Sequence, residues 1–537
     1  MRNIGPLISG AILIFSSLLS NAQEKEEMDP VTITSTISEK KISQTGRNLI
    51  IIKGERFSQL PVHSIDELLR YLPGIEVQSR GPFGAQSDIV IRGGTFQQVL
   101  VILDGVRLND PNTGHFTSYI PIAPSEIDRI EILKGASSAI YGSEAVGGVI
   151  HIITKSFSKT KRSPEAIAEF TGGQYDLYTI NAGGTYTSEN TTISGGLLSN
   201  NTKGQPQRGI NGFVNNNTIS LSIAEKIKDK WQLSFRSSFD NRKFAAQNFY
   251  TNFISDTANE KVKTFWNQLQ VTYTTKKDIL TLNAGYKNLE DRYAFSSNIT
   301  PNQNKSNLIQ GLITDEWKVT NKVTFVSGLQ FISKQISSND RGDHKVDQAA
   351  TFAILNAQIS EHFFISPALR LDWNQISGWQ LVPQANLSWQ DEKFQLRGSV
   401  GKTIRDADFT ERYNNYNKTF VKSGSIGNPD LVSEKSLSYE AGADYFITGQ
   451  IKISGTFFQR FYRDLIDFVN TPYEDIPRKS NLSLTGTYAF AKNISKVTTT
   501  GWETDLQYLL QLNKNDHLWA TLGFTWLQSQ SSSGTPS

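Results

Sequence analysis

Asp88-Ile-Val-Ile-Arg-Gly-Gly94 opens, and Gly147-Gly-Val-Ile-His-Ile-Ile-Thr-Lys155 closes, the stretch whose reading decides the fold. Between them, Val99-Leu-Val-Ile-Leu103 has the continuous apolar run of a buried strand, Asp104-Gly105 has the chemistry of a tight hairpin turn, and Val106-Arg-Leu108 reads as the returning strand. Asp128-Arg-Ile-Glu-Ile-Leu-Lys134 alternates apolar with charged residues; Gly135 to Gly142 punctuates the chain, and Val149 to Thr154 forms a last strand. Together these predict a small, glycine-punctuated α+β unit.

Upstream, Leu49 to Ile52 is a short strand. Ser64-Ile-Asp-Glu67 has the form of a capping box opening a helix that runs through Tyr71 and stops at Pro73-Gly74, and Ile75 to Val77 is the next strand. Two loops, Arg80 to Ser87 and Asn109 to Phe116, are rich in Gly, Pro, Asn and Asp, which make turns anywhere. Further back, Arg2, the apolar run Leu7 to Leu19 and Ser20-Asn-Ala22 read as a secretory signal peptide cut after Ala22. That run is too short for a spanning helix, and no later run reaches the roughly 18 apolar residues one needs. A membrane location therefore requires a barrel. Residues 23–44 are acidic, then Thr/Ser-rich and without periodicity, and are expected to form a mobile tail.

Downstream of Lys155 the chain alternates with period two. Leu280, Leu282, Ala284 and Tyr286 interleave with Thr281, Asn283, Gly285 and Lys287; Phe394, Leu396 and Val400 with Gln395, Arg397 and Ser399; Leu518, Ala520, Leu522, Phe524 and Trp526 with Trp519, Thr521 and Gly523. Short turns such as Lys276 to Asp278 contrast with long polar spans such as Ala245 to Asn259. A soluble β-sandwich also alternates. Aromatic residues on the apolar face and near strand ends, as in Tyr445-Phe446, Phe457-Phe458 and Phe461-Tyr462, favour a membrane barrel with interfacial girdles.

Several classes of chemistry are disfavoured. Lys and Arg number 54 against 51 Asp and Glu, so no basic footprint suggests nucleic acid. Cysteine is absent, which excludes disulfide scaffolds and thiolate metal sites. Six histidines are scattered without paired metal-ligand spacing. Gly398 to Thr403 resembles a phosphate loop, but Leu396 stands where its first glycine belongs. No nucleophile–base constellation points to an enzyme, and no cofactor is implied. Arg341-Gly-Asp343 is an adhesion-like tripeptide, and Asp406, Asp408 and Glu411 are loop carboxylates of a kind that can hold calcium but usually hold nothing.

Ile91-Arg-Gly-Gly94, Leu103-Asp-Gly-Val106, Arg129 to Gly135, Tyr141-Gly142 and Gly147-Gly-Val-Ile150, in this order and spacing, resemble the plug domain of TonB-dependent outer-membrane receptors. The resemblance extends more loosely over the chain beyond the leader. It implies a membrane all-β fold, a transmembrane antiparallel β-barrel with an N-terminal α+β plug inside: a signal peptide at 1–22, a flexible N-terminus at 23–44, the plug at 45–155 and the barrel at 156–537. Asp29-Pro-Val-Thr-Ile-Thr34 resembles the TonB box, an extended segment that a TonB-type energy-transducing partner captures by strand addition. Plug residues Arg92 and Arg129 match positions that pair with barrel glutamates in the family, and Glu440 and Glu503 are the wall candidates; Asn428 to Leu431 with Glu434 resembles a loop-to-strand signature of the barrel. Plug loops in this family face the ligand, which makes Arg80, Phe83, Gln86, Asn109, Asp110, Asn112, His115 and Phe116 candidate contacts.

The nearest subfamilies by motif are vitamin B12 receptors, on Met28 to Ser35 and Gly105-Val-Arg-Leu-Asn-Asp110, and ferric-siderophore receptors. The implied function is energy-coupled uptake of a scarce, bulky ligand by a monomer set in outer-membrane lipid; an adhesive barrel and a passive porin are the alternatives. Family barrels have about 22 strands, whereas the region after Lys155 has room for about 16–18, so a C-terminally truncated barrel is expected.

Overall fold

The structure, a computed structural model, describes residues 30–81, 84–158, 162–207, 209–251, 253–448, 450–511 and 517–531. The signal-peptide segment, Asp29 and Phe83 lie outside the described residues.

The inner domain is built on a five-stranded sheet in the spatial order Leu49–Lys53, Ile127–Lys134, Gly148–Thr154, Val99–Leu103, Val106–Arg107. Val99–Leu103 and Gly148–Thr154 pair in parallel and are buried at every residue. Burial on both faces is why these runs are continuously apolar rather than alternating. Asp104 (φ 47°) and Gly105 (φ 89°) make the tight turn with both central residues in the left-handed region, as a two-residue hairpin loop demands. A two-stranded ribbon, Ile75–Arg80 against Gln86–Ile91, lies beside the sheet.

Two local expectations are corrected. The helix spans only Ile65–Leu69; Tyr71 and Leu72 bond to carbonyls three residues back, a tightened turn that leads into Pro73-Gly74. Its capping box does not form, because the Glu67 carboxylate accepts the His63 amide at 2.7 Å, one residue ahead of Ser64, whose side chain makes no cap bond. The tail expected to be mobile is packed from Pro30 onward: Val31–Thr32 pairs with Lys40–Lys41, and Thr32, Thr34, Ser35 and Thr36 are buried.

Around this domain runs one 18-stranded sheet, from Glu165–Gly173 to His517–Ser531, with antiparallel neighbours in sequence order apart from the two-residue insert Ser425–Ile426, which pairs in parallel with Thr487–Gln511. Among the described residues, Glu165–Gly173 pairs only with Leu177–Thr187, and His517–Ser531 only with Thr487–Gln511.

Side-chain direction settles the choice between sandwich and barrel. On Val214–Ile227, Ile219, Leu221 and Ile223 face outward and exposed, whereas Thr218, Ser220 and Ser222 face inward and are buried. Phe394, Leu396 and Val400 likewise point out, while Gln395, Arg397 and Ser399 point in. Apolar outside and polar inside is the inverse of a soluble sandwich and the arrangement lipid requires.

The polar lining grips the inner domain all round the wall. Ser125 donates to the Ala182 carbonyl, Gln268 to the Asp104 carbonyl at 2.9 Å, Gln310 to the Arg107 carbonyl at 2.8 Å and Ser388 to the Ser43 carbonyl. Trp266, fully buried, inserts from the wall into the apolar core of the inner domain.

Candidate functional site

Gln86–Ile91 ends in a turn in which Arg92 (φ 55°) and Gly93 (φ 63°) both take the left-handed conformation, closed by the Gly94 amide on the Ile91 carbonyl. That conformation is rare for a residue with a side chain. Here it aims the Arg92 guanidinium at the wall, where Glu440 on Glu434–Thr448 and Glu503 on Thr487–Gln511 point inward. Arg92 donates to Glu503 Oε2 through Nη2 at 2.9 Å and Nε at 3.2 Å, and to Glu440 Oε2 through Nη1; its guanidinium lies 4.5 Å over the Phe458 ring. Burial opposes the Arg92 charge, but Glu503 and Glu440 outweigh that and raise its pKa. Two further cations of the inner domain share the site: Arg47 Nε is 3.5 Å from Glu440 and Lys134 Nζ is 3.6 Å from Glu503.

Arg129 is not part of this cluster, contrary to expectation. It sits on Ile127–Lys134, where period two places Arg129 and Glu131 on one face of the strand, and it pairs there with Glu131 Oε1 at 2.8 Å and with Asp128 at 2.9 Å.

Glu131 in turn holds the leading segment. Its other oxygen, Oε2, accepts from Thr32 Oγ1 (2.5 Å), Thr34 Oγ1 (2.6 Å), the Thr34 amide (3.0 Å) and the Ile33 amide (3.1 Å). Tyr141 donates to the Thr34 carbonyl at 2.7 Å. Burial favours the neutral acid at Glu131, but Arg129 and the threonine hydroxyls prevail and hold its carboxyl below the usual range. Beside it, the Gly105 amide donates to His151 Nε2 at 3.1 Å, which leaves Nδ1 to carry the hydrogen and donate to Thr34 Oγ1 at 2.9 Å. Burial pushes His151 down to about 4, so it is neutral at physiological pH. Pro30 to Thr34 thus lie clamped against the inner domain; Val31 alone among them is an exposed large apolar side chain.

The seven loop candidates among the described residues divide. Asn109 caps strand edges, accepting from the Val101 amide and donating to the Val99 carbonyl at 2.8 Å each. Asp110 pairs with wall residue Lys287 at 3.2 Å and accepts from Ser306. The Asn112 carbonyl accepts from Thr410, and Phe116 is buried against Tyr119. Gln86 is buried and accepts from Tyr250 at 2.6 Å. These five are spent on packing. Arg80 and His115 retain exposed surface, both tied to Asp88, with His115 stacked 4.1 Å from Phe96. Tyr250, which approaches both, was not evident from sequence because a single aromatic in a polar loop carries no periodic signal.

Known proteins place this geometry. A family model described as TonB-dependent Receptor Plug Domain matches residues 41–149, and one described as TonB dependent receptor-like, beta-barrel matches residues 164–537. The chain belongs to the TonB-dependent receptor family. This is a family of outer-membrane β-barrels. The receptor is 26% identical over 505 residues to the vitamin B12 transporter BtuB of Vibrio cholerae, covering 88% of this chain and 78% of that one, and 24% identical to that of Photobacterium profundum, covering 84% and 70%. Its fold matches the siderophore receptor PirA of Pseudomonas aeruginosa (TM-score 0.70, 19% identity, 90% of this chain and 85% of that one) and the ferric yersiniabactin uptake receptor FyuA of Yersinia pestis (TM-score 0.71, 16% identity, 92% and 80%).

Two further plug–wall anchors of the receptor escaped sequence reading. Arg236 reaches inward to Glu126 at 2.9 Å and to Thr154 Oγ1 at 2.7 Å. Arg405 pairs with Glu411 at 2.8 Å and with Glu434, whose second oxygen accepts from plug Gln98 at 2.9 Å. Each is a charge inside an alternating strand, on its polar face; that is the only signal available, and every lumen residue shares it. The loop carboxylates Asp408 and Glu411 cap their own short helix, Phe409–Tyr413, and among the described residues no group of acidic or histidine side chains is arranged to hold a metal.

Proposed function

We propose that this receptor takes up a scarce, bulky ligand, cobalamin or a ferric siderophore, by energy-coupled transport across the outer membrane. The relatives named for vitamin B12 transport and for siderophore reception motivate those two ligand classes. The observation that carries the reading is the pairing of two linkages on one plug: Arg92 to the wall glutamates, and Thr32 to Thr34 on Glu131. A passive porin has no use for a filled lumen, and a barrel that only adheres has no use for a clamped leading segment.

In this mechanism Arg80, His115 and Tyr250 contribute to the ligand floor, and the Asp29 to Thr34 segment is captured by a TonB-type protein as an added strand. Pulling on it strips the four hydrogen bonds from Glu131 and loads the five-stranded sheet through Ile127–Lys134, the strand next to its central one. The Arg92 and Arg236 anchors, and the Gln98 bond to the Glu434 carboxylate that Arg405 holds, resist wholesale loss of the plug, so that part of it yields first. Binding outside and accessibility inside are then coupled as two sites of one system.

The adhesive alternative loses its motif, since Arg341 is buried and bonded to Asn304 and Thr410. Uptake of labelled cobalamin and of a panel of ferric siderophores in a receptor-deficient host tests the proposal. Energy-dependent accumulation of one ligand is expected, and deletion of residues 29–34 is expected to abolish uptake while leaving surface binding intact. Uptake that persists without energy or without the segment overturns it.

A further inference from the structure

The outer face of the wall carries, near its long-loop end, a cluster of charge that neither plug nor lumen uses. Strand register sets Lys261 between Lys243 and Arg292, and Glu290 between Lys263 and Lys305. Alternation turns all six outward: their chain neighbours Phe244, Val262, Asp291 and Asn304 are buried in the lumen, while Lys243, Lys263, Glu290, Arg292 and Lys305 are exposed. Five cations thus face a single carboxylate. Glu290 contacts Lys305 at 3.4 Å, and among the described residues no carboxylate pairs with Lys261, Lys263 or Arg292. Lys261, Lys263, Glu290, Arg292 and Lys305 border a groove of about 670 Å³.

Position within the membrane gives the cluster its meaning. On the same outward face, Phe265 follows Lys263 by two residues, and Ile309 follows Lys305 by four; both are exposed to the lipid side. At about 3.4 Å per residue the cations stand roughly 7–14 Å beyond the apolar belt. That is the depth of the polar headgroup layer, where an unpaired cation meets phosphate.

We propose that this patch binds a phosphorylated membrane lipid, with Lys261, Lys263, Arg292 and Lys305 around its phosphate and acyl chains lying along Phe265 and Ile309. Continuity of the cationic groove with exposed apolar side chains argues for a lipid over a free anion, which would have no use for the second part. The residues lie on the outside of the wall and take no part in ligand uptake.

Native mass spectrometry of the full chain in detergent, titrated with diphosphorylated lipid A, its dephosphorylated form and inorganic phosphate, tests this. Retention of the phosphorylated lipid is expected, weakened about a hundredfold in the triple variant Lys261→Gln/Lys263→Gln/Arg292→Gln, since each of the three removed charges is worth about a fivefold factor near a charged surface. The double variant Lys261→Arg/Lys263→Arg keeps charge and is expected to keep binding, with both variants retaining the heat-modifiable gel mobility of a folded barrel. Equal retention of dephosphorylated lipid, displacement by equimolar inorganic phosphate, or undiminished binding by the folded triple variant each overturns the assignment.

Discussion

Arg92 of the plug and Glu503 of the wall lie 2.9 Å apart with both side chains buried, and Glu440 closes on the same guanidinium from the neighbouring part of the wall. Replacing Arg92 with Met strands two carboxylates. Loss of one partner in a buried pair costs about 3–5 kcal/mol. Arg47 and Lys134 remain within 4 Å of the stranded carboxylates, so the low end of that range is expected. The plug of Arg92→Met should become protease-sensitive at lower denaturant than wild type, and the cell should admit a bulky antibiotic. Adding Glu440→Gln and Glu503→Gln should recover part of the loss; no recovery would show that Arg92 acts through packing on Phe458 instead.

The Thr34 hydroxyl donates to Glu131 Oε2 and accepts from His151 Nδ1. Thr34→Val keeps the shape and removes both bonds, at about 1–2 kcal/mol. The exposed population of the leading segment should rise about tenfold or somewhat more, read as the rate at which a protease or thiol label reaches residues 30–34. An unchanged rate would mean that Glu131 alone sets accessibility.

The clamp is expected to loosen in acid. His151 is depressed to about 4 from its ordinary 6.5, so the unfolded or released state binds the extra proton between those values. Its contribution is therefore complete above pH 6.5 and is lost as pH falls from there toward 4. Asp104, pushed up to about 6 by burial, has the opposite sign: its contribution is present below the ordinary 3.8 and lost as pH rises through 6. His151→Asn preserves a donor near Nδ1 but cannot titrate, and separates the two. Labelling of the leading segment should rise between pH 6.5 and 4 in wild type, whereas in His151→Asn, where only the opposite-signed Asp104 titration remains, it should not rise.

The reach of sequence reading follows from what local pattern encodes. Asp104-Gly105 and the buried run before it were legible because turn chemistry and apolar run length are local. Arg92, Glu440 and Glu503 were reached through the family resemblance, which matched the arginine to plug positions that pair with wall glutamates and left the two carboxylates in strand-like contexts as candidates. Arg129 misled because its partner is decided by strand period: Glu131, two residues on, is nearer than any wall. Arg47 meets Glu440 across nearly the whole chain, Arg236 meets Glu126 from another domain, and Arg405 meets Glu411 and Glu434 through a loop fold, and no local spacing marks any of the three. Packing of Thr32 to Thr36 was likewise invisible, since a Thr/Ser-rich segment has the composition of a linker until a buried carboxylate supplies its acceptor.

Gly135 (φ +84°) borders the anchor: a Cβ there would lie 2.8 Å from Glu440 Oε2 and 2.9 Å from Arg92 Nη1. Gly135→Ala therefore meets two penalties, a left-handed backbone and a crowded ion cluster. About 1–3 kcal/mol is expected from the backbone alone. Thermal or chemical unfolding of the plug should shift accordingly, and relief on combining Gly135→Ala with Glu440→Ala would assign the remainder to crowding.

Leu221 faces outward at the middle of Val214–Ile227, flanked on the same face by Ile219 and Ile223. If that face meets lipid, Leu221→Arg places a charge near the bilayer midplane and costs about 2–4 kcal/mol. If the same face met water, an exposed substitution would stay within about 0.5 kcal/mol. Unfolding of the receptor in phospholipid vesicles, followed by tryptophan fluorescence, distinguishes the two, with Leu221→Ala as the control that loses apolar area without adding charge. The lipid arrangement requires a much larger loss for Arg than for Ala, together with slower insertion into vesicles. Equal, small losses would mean that Ile219, Leu221 and Ile223 do not contact the hydrocarbon core.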